Sequence, residues 1–348
     1  MNKALVFILL CFCEILFGQI GGKRSFEFLR LPPSARVSAL GGSLIATVDD
    51  DVNTAINNPA TLNEKTVGAI ALNYNFQFAG ISNGHAGYGF HIKKWNLNAH
   101  AGASFINYGQ FISADEVGIQ TGTFTASESA FTLGASKSLD ERIVVGTNLK
   151  FVNSALEQYQ ANGLLIDAGV VYTTNEGRMR IAGVFQNFGS ELSTLNGKRY
   201  GTPYDIQLGI SNRLKYMPFR FSIIMHRLNR WGIRYDDPDF NSNDSFFDEN
   251  NEPTAFRKQI DNLFRHIIFN GEFLLGKNEN FKLRAGYNHL RRAELSLSEF
   301  RSYAGFSVGF GFKINRFHID YGVGYYHLAG GNNHLSLRTN LNYFRSKI

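Results

Sequence analysis

The side chains with the greatest capacity for chemistry are few and scattered in this sequence. The densest carboxylate cluster is Asp49-Asp50-Asp51, an oxygen-rich run of the kind that can ligate calcium. The same run precedes a short helical pattern in which Val52, Ala55 and Ile56 share a face. There it supplies the negative charge that a helix N-terminus favours, with Asp51 placed to cap and Pro59 to limit the helix. This second reading asks for less and is the one adopted. The 9 histidines lack metal-ligand spacing. His85 and His91 fall in one alternating segment, which suits polar side chains facing a lumen. Neither H-E-x-x-H nor G-x-S-x-G occurs. Both cysteines, Cys11 and Cys13, lie in the apolar N-terminal run, so disulfides, Cys-ligated metal and thiol catalysis are excluded for the rest of the chain. No catalytic residue, metal or cofactor is nominated, and the chain reads as a non-enzyme.

Residues 1–18 carry a basic Lys3, an apolar core and Gly18, the layout of a cleaved secretory signal. Leu9 and Leu10 stand before Cys11 where a lipoprotein signal needs small residues, so no lipid anchor is expected. Beyond the signal no apolar run is long enough for a transmembrane helix. No nucleic-acid partner is expected.

The elements that position everything else have a period of two. Ile70, Leu72, Tyr74, Phe76 and Phe78 alternate with Ala71, Asn73, Asn75 and Gln77. Leu335, Leu337, Thr339, Leu341 and Tyr343 alternate with His334, Ser336, Arg338, Asn340 and Asn342. Similar segments between them bring the expected total to about fourteen strands, each near the length a tilted strand needs to cross a bilayer. Met179–Phe188 is the weakest, because Val184 sits on the polar register. Short links near Lys93-Lys94, Ser138–Glu141, Thr173–Arg178, Leu214–Pro218, Lys277–Asn280 and Asn315 alternate with longer ones. The longer links are Tyr108–Ser127, Asn153–Gly163, Gly189–Pro203, Trp231–Arg265 and Arg291–Arg301. Unequal rims of this kind mark a transmembrane barrel with periplasmic termini and extracellular long loops. The expected fold is all-β: an antiparallel transmembrane β-barrel of about 14 strands over residues 65–348, integral to the outer membrane. Arginine is expected to be costly at lipid-facing Leu337 and better tolerated at inward Ser336.

Residues 19–64 break the alternation. Within them Ser25–Asn63 carries Pro32-Pro33 and Gly41-Gly42, which divide it into pieces too short to be a domain. This segment is expected to be a plug filling the lumen and closing the channel. Arg36, Gly41, Gly42, Asn58 and Pro59 are its distinguishing residues. Glycines on the inward register, among them Gly146, Gly169, Gly209, Gly286, Gly305, Gly309 and Gly322, suit a wall packed against another backbone. Lys150, Arg180, Arg213, Lys282, Arg284 and Arg338 share that register and would favour anions in an open lumen.

Asp49–Leu62, with Asn58-Pro59-Ala60, resembles the N-terminal region of long-chain fatty acid transporters of the FadL type. That likeness implies a fourteen-stranded barrel with an N-terminal plug. A closer resemblance, to the PorQ family of type IX secretion system outer-membrane components related to PorV, spans most of the chain. FEFLRLPPSARVSALGG (Phe26–Gly42), PFRFSIIMHRLNRWGIRYDDPD (Pro218–Asp239), LRAGYNHLRRAEL (Leu283–Leu295) and YYHLAGGNNHLSLRTNL (Tyr325–Leu341) carry it. It implies an attachment complex with PorU, PorV and a PorZ-like surface protein, in which the barrel anchors the PorZ-like partner. Such a complex cleaves the sorting signal of secreted cargo and links the cargo to lipopolysaccharide, PorU being the protease. The resemblance brings no catalytic residue. The alternative is a FadL-like transporter or binder of hydrophobic ligands or lipids, which calls for an apolar pocket between plug and wall. The remaining partner is outer-membrane lipid.

Partner docking is expected on the longest link, Trp231–Arg265, through Trp231, Arg234, Tyr235, Asp236, Asp237, Phe246 and Phe247. Aromatic side chains in a charged surround are typical interface anchors. The competing reading is a self-packed lid over the barrel mouth. Excising Asn241–Asn251 is expected to leave a folded barrel that releases its surface partner.

Overall fold

Period-two alternation closes into a wall because each strand has one face that must leave water and one that need not. The computed structural model describes residues 24–115, 117–195, 197–234, 255–295, 303–327 and 330–345. The expected signal (1–18) and the docking candidates Tyr235, Asp236, Asp237, Phe246 and Phe247 lie outside them, as does the proposed excision. The strands are β1 (Ala69–Phe76), β2 (Ser82–Ile92), β3 (Leu97–Ala114), β4 (Gln120–Ser138), β5 (Ile143–Leu156), β6 (Tyr159–Thr173) and β7 (Met179–Ser193). They continue with β8 (Asp205–Arg213), β9 (Phe219–Met225), β10 (Ile267–Leu275), β11 (Phe281–Asn288), β12 (Phe306–Ile314), β13 (Phe317–His327) and β14 (Gly330–Asn340). Neighbours pair antiparallel in chain order, and β1 closes on β14 to give a barrel of 14 strands. At that seam Leu72 faces Leu337 and Tyr74 faces Leu335, the outward register read from the sequence.

Leu72, Phe131, Leu133, Leu149, Phe151, Ile166, Leu208, Phe273, Phe310 and Leu337 are exposed on the outer surface. Inward neighbours such as Asn148, Asp167, Ser211, Arg284, Ser336 and Arg338 are buried. An apolar exterior around a polar interior is the arrangement lipid imposes on a closed sheet, whose backbone groups all pair within the wall. No described helix is long and apolar enough to cross a membrane.

Several boundaries differ from the expectation. Tyr108–Ser127 is not a loop: β3 and β4 continue as a hairpin, with Phe111 stacked on Phe124 at 5.2 Å. Asn153–Gly163 is likewise a hairpin, turning at Glu157, whose φ is 57°. Ser, Thr, Gly and Gln occupy both faces there, so the hydrophobic alternation fades while the backbone ladder continues. The wall is therefore tall from β3 to β7 and low from β8 to β11. Gly305 precedes β12 in a turn at φ +86° instead of facing inward within it. Tyr343 lies beyond the last strand in a terminal turn of helix. In β7, Val184 does face inward and packs on the luminal segment, whose own surface is apolar there. Next to it Gln186 and Asn187 are both buried, with Asn187 at φ 55° and the β6–β7 register shifting beside them.

Inside the wall the segment before β1 folds into short pieces. These include helix α1 (Ala35–Ala39), helix α2 (Thr54–Asn57) and single turns at Glu27–Arg30, Pro59–Thr61 and Glu64–Thr66. Ser34 caps α1, its Oγ accepting the Val37 N–H at 3.3 Å. Gly41 and Gly42, at φ +83° and +97°, end α1 in the left-handed conformation that glycine adopts freely. Asp51 Oδ1 accepts the Asn53 N–H just ahead of α2, and that helix stops before Pro59. Ile45, Ala46 and Ala60 pack against Val171, Ala182, Val184, Ile224 and Ile268 of the wall.

The wall predicts a position-dependent cost for charge. Leu337→Arg, facing lipid, is expected to cost about 2–4 kcal/mol near the bilayer midplane, whereas Ile112→Arg on the tall hairpin should cost about 0–1 kcal/mol. Denaturant titration of heat-modifiable folding in bilayers checks both, and equal costs would refute the placement.

Candidate functional site

The lumen is the candidate site, and its centre is Arg36. This side chain projects from α1 and is 1% exposed. Its guanidinium reaches Asp51 at 3.2 Å, Asp49 at 2.7 Å and Glu272 of β10 at 3.0 Å. Glu272 also binds its cross-strand neighbours, Arg220 on β9 and Arg284 on β11, the latter at 2.9 Å. Arg284 continues to Asp320 on β13 at 2.7 Å, and Asp320 to Arg338 on β14 at 3.3 Å. Arg338 returns to Asp50 and Asp51 at 3.6 and 3.5 Å. Luminal acids and arginines thus form a closed circuit between the plug and strands β9–β14.

A second set of contacts holds the opposite wall. Lys150 lies 2.7 Å from Asp167 and donates to Asn187 at 2.8 Å. Asn148 Nδ2 donates to Asp167 and to the Ala55 carbonyl, and its Oδ1 accepts from His100 Nε2 at 2.8 Å. Single hydroxyls satisfy plug backbone: Ser307 accepts from Gly41 N at 2.9 Å and donates to Ala39 O at 3.1 Å. Close approach needs glycine in the wall. A Cβ on Gly309 would stand 2.6 Å from the Ala39 Cβ, and one on Gly146 2.6 Å from the Ala60 nitrogen.

The plug residues singled out by sequence come together here. Arg36 holds the charge circuit, and Gly41 and Gly42 turn the chain against β11 and Arg291. Asn58 donates to the Ile45 carbonyl and caps the turn that Pro59 begins, against Gly169 and Gly146. The acidic run is engaged by arginine as well as by the start of α2. Lys150, Arg284 and Arg338 are bound to carboxylates, while Arg213 pairs with Glu279 at the short-turn rim. His85 faces inward, but His91 is exposed beside Asn98 near that rim. Sequence reasoning missed Glu272, Asp320 and Asp167. Their signal was present: acidic residues on the inward register of alternating strands. Tolerance of arginine at Ser336 is also overturned, because its Oγ accepts the Ala35 N–H at 2.8 Å and the site is full.

Between plug and wall at the long-link mouth remains a cavity of about 300 Å³. Arg30, Lys150, Gln207, His226, Arg227 and Arg291 contribute its polar lining, with Leu29, Leu31, Pro33 and Ile56 on the plug side. Arg291 lies over the Tyr326 ring at 3.8 Å and donates to the Gly41 carbonyl.

On the same rim stand helices α3 (Ala255–Arg265) and α4 (His289–Leu295). Trp231 stacks on His266 at 4.9 Å, and its carbonyl accepts from Asn262 at 2.8 Å. Arg234 approaches Asp261 at 3.6 Å. Partial burial raises the Asp261 carboxyl, but Arg265 and His289 outweigh it and hold the group below its ordinary range.

No family model matches the chain, and no curated protein does. Two deletion mutants of the TodX monoaromatic hydrocarbon channel are similar in fold, each with a TM-score of 0.50 and 15% identity. Each match covers 88% of this chain and 96% of the other. A FadL homologue from Pseudomonas aeruginosa aligns over 88% of this chain and 98% of its own, at 9% identity and a TM-score of 0.48. The chain shares with the TodX channels the fold of a closed barrel, here of 14 antiparallel strands.

Two outcomes follow. Arg36→Ala leaves Glu272 and Asp49 partly uncompensated, a loss of about 3–5 kcal/mol for a buried pair. Plug amides should exchange faster in the variant, and planar-bilayer current, negligible for the intact protein, should appear. Large open currents from the intact barrel would refute a sealed lumen. The Asp261 contacts carry a pH dependence of known sign. A depressed folded-state value stabilises above the ordinary carboxylate range and is lost as pH falls through the depressed value. Trp231 fluorescence in Trp95→Phe should therefore hold steady at neutral pH and change only in acid, and Asp261→Asn should abolish that acid transition.

Proposed function

We propose that this chain is a non-enzymatic anchor: a sealed outer-membrane barrel that holds a surface partner at its long-link rim. The observation that carries this reading is the charge circuit fixing the plug to the wall around Arg36. Buried ion pairs of this kind are costly to break one partner at a time, which suits a static filler better than a gate. The cavity that remains is rich in Arg, Lys, His and Gln, a poor surface for an apolar solute. The resemblance of Phe26–Gly42 and Pro218–Asp239 to the PorQ family gives the finer form of the proposal. In it the partner is a PorZ-like surface protein, acting with PorU and PorV in the type IX attachment complex. Both termini then lie in the periplasm and the long links outside.

A second reading, a channel or binder for hydrophobic ligands, draws support from the fold shared with the TodX hydrocarbon channels. Leu29, Leu31, Pro33 and Ile56 along the cavity favour it too. Affinity purification of the tagged barrel from native outer membranes separates the two. The anchor reading expects a stoichiometric surface protein and no bound hydrocarbon or fatty acid by mass spectrometry. Recovery of bound hydrophobic ligand without a protein partner would overturn it in favour of the channel.

A further inference from the structure

Helix α3 presents an apolar stripe that the other described residues leave exposed. Phe256, Ile260, Leu263 and Phe264 follow helical spacing and are 69%, 39%, 37% and 43% exposed. The opposite side of the helix is committed to the barrel. Asn262 accepts from Ile233 N at 3.1 Å and donates to Trp231 O. Asp261 is held by Arg265 at 2.7 Å and by His289 at 3.3 Å. The contacts of Asn262 and of Asp261 with His289 fix the helix in rotation, with Phe264 against His289 and Phe256, Ile260 and Leu263 exposed.

What lies beside that stripe is the lipid-facing wall. Phe264 meets His289 with ring centroids 6.0 Å apart, and His289 meets Tyr287 at 5.9 Å. Tyr287 in turn meets Phe306 at 4.9 Å. Phe269, Tyr287 and Phe306 are cross-strand partners on the outward register of β10, β11 and β12, in the row nearest the rim. The apolar surface of α3 thus continues the apolar surface of the barrel where the wall is low. Arg257 and Lys258 stand in the first turns of the helix, the composition of helices that lie at a lipid headgroup boundary.

We infer that α3 is an interfacial helix that lies on the bilayer at the long-link rim, its stripe among the acyl chains and extending the membrane contact of β10–β12. The occupant of the stripe is membrane lipid. A protein partner on the same residues is the competing outcome.

The experiment uses the whole mature barrel in nanodiscs of phosphatidylethanolamine and phosphatidylglycerol. Because the chain has no cysteine after Cys13, single Phe256→Cys, Ile260→Cys and Val117→Cys variants can each carry one bimane label. Val117 is an exposed apolar residue at the tip of the tall β3–β4 hairpin, beyond the band, and serves as the water-facing control. Heat-modifiable mobility confirms folding of each variant. Labels at Phe256→Cys and Ile260→Cys should show blue-shifted emission and lose fluorescence to doxyl-labelled lipid, while the Val117→Cys label does neither. Emission at all three positions that is water-like and unquenched overturns the inference. Shielding of the α3 labels that arises in native outer-membrane vesicles but not in nanodiscs also overturns it, and assigns the stripe to a protein.

Discussion

Arg36 and Glu272 are the interaction on which the rest of the structure depends. Each is nearly free of solvent, and each satisfies the other together with further opposite charges. A buried charge with a single partner is a marginal arrangement, because desolvation offsets most of the attraction. Here each ion is shared among neighbours on different strands, so no member is left facing a low-dielectric surround alone. The circuit converts the lumen of a wide barrel, a place where water would ordinarily stand, into a structural interior. The apolar contacts of Ile45 and Ala46 with β6–β10 add to a position that charge already defines.

The two sides of the barrel manage their upper edges differently. From β3 to β7 the strands simply continue, pairing each other beyond the apolar band. From β8 to β11 the wall stops early, and α3 and α4 stand over its edge, linked by Asp261 and His289. A helix satisfies its own backbone, so it can cover a low rim without a strand partner. The cavity lies between these unlike sides, its floor the plug and its wall drawn from β7, β8, β10 and α4.

Strand number and register were legible because lipid enforces alternation: Leu335 and Leu337 face out, Ser336 and Arg338 in, as the residue types imply. The upper parts of β3 and β4 were not legible, since a hairpin solvated on both faces has no reason to alternate. In β5 and β6 the inward positions Ser154, Ala161 and Gly163 are small because the plug, with Phe26, lies against them. The plug was visible as a break in periodicity, and its glycine-lined wall as an excess of inward glycine. Its attachment was harder to see. Sequence exposes single charged residues, while the circuit depends on which inward residues become cross-strand neighbours, as Glu272 does with Arg220 and Arg284. At Ser336 a small polar residue looked permissive, yet it is small because α1 occupies the space.

The contact between Ala35 and Ser336 joins helix α1 of the plug to β14. Alongside it Arg338 of β14 reaches Asp50 and Asp51, while β14 also zips onto β1. Gly309 and Gly322 leave no room for a Cβ against Ala39 and the Ala35 carbonyl, so the completed wall fits closely around α1. The contacts that close the seam and those that hold the plug thus share β14, and both join residues almost the whole chain apart, the kind of distant pairing that slows a folding search.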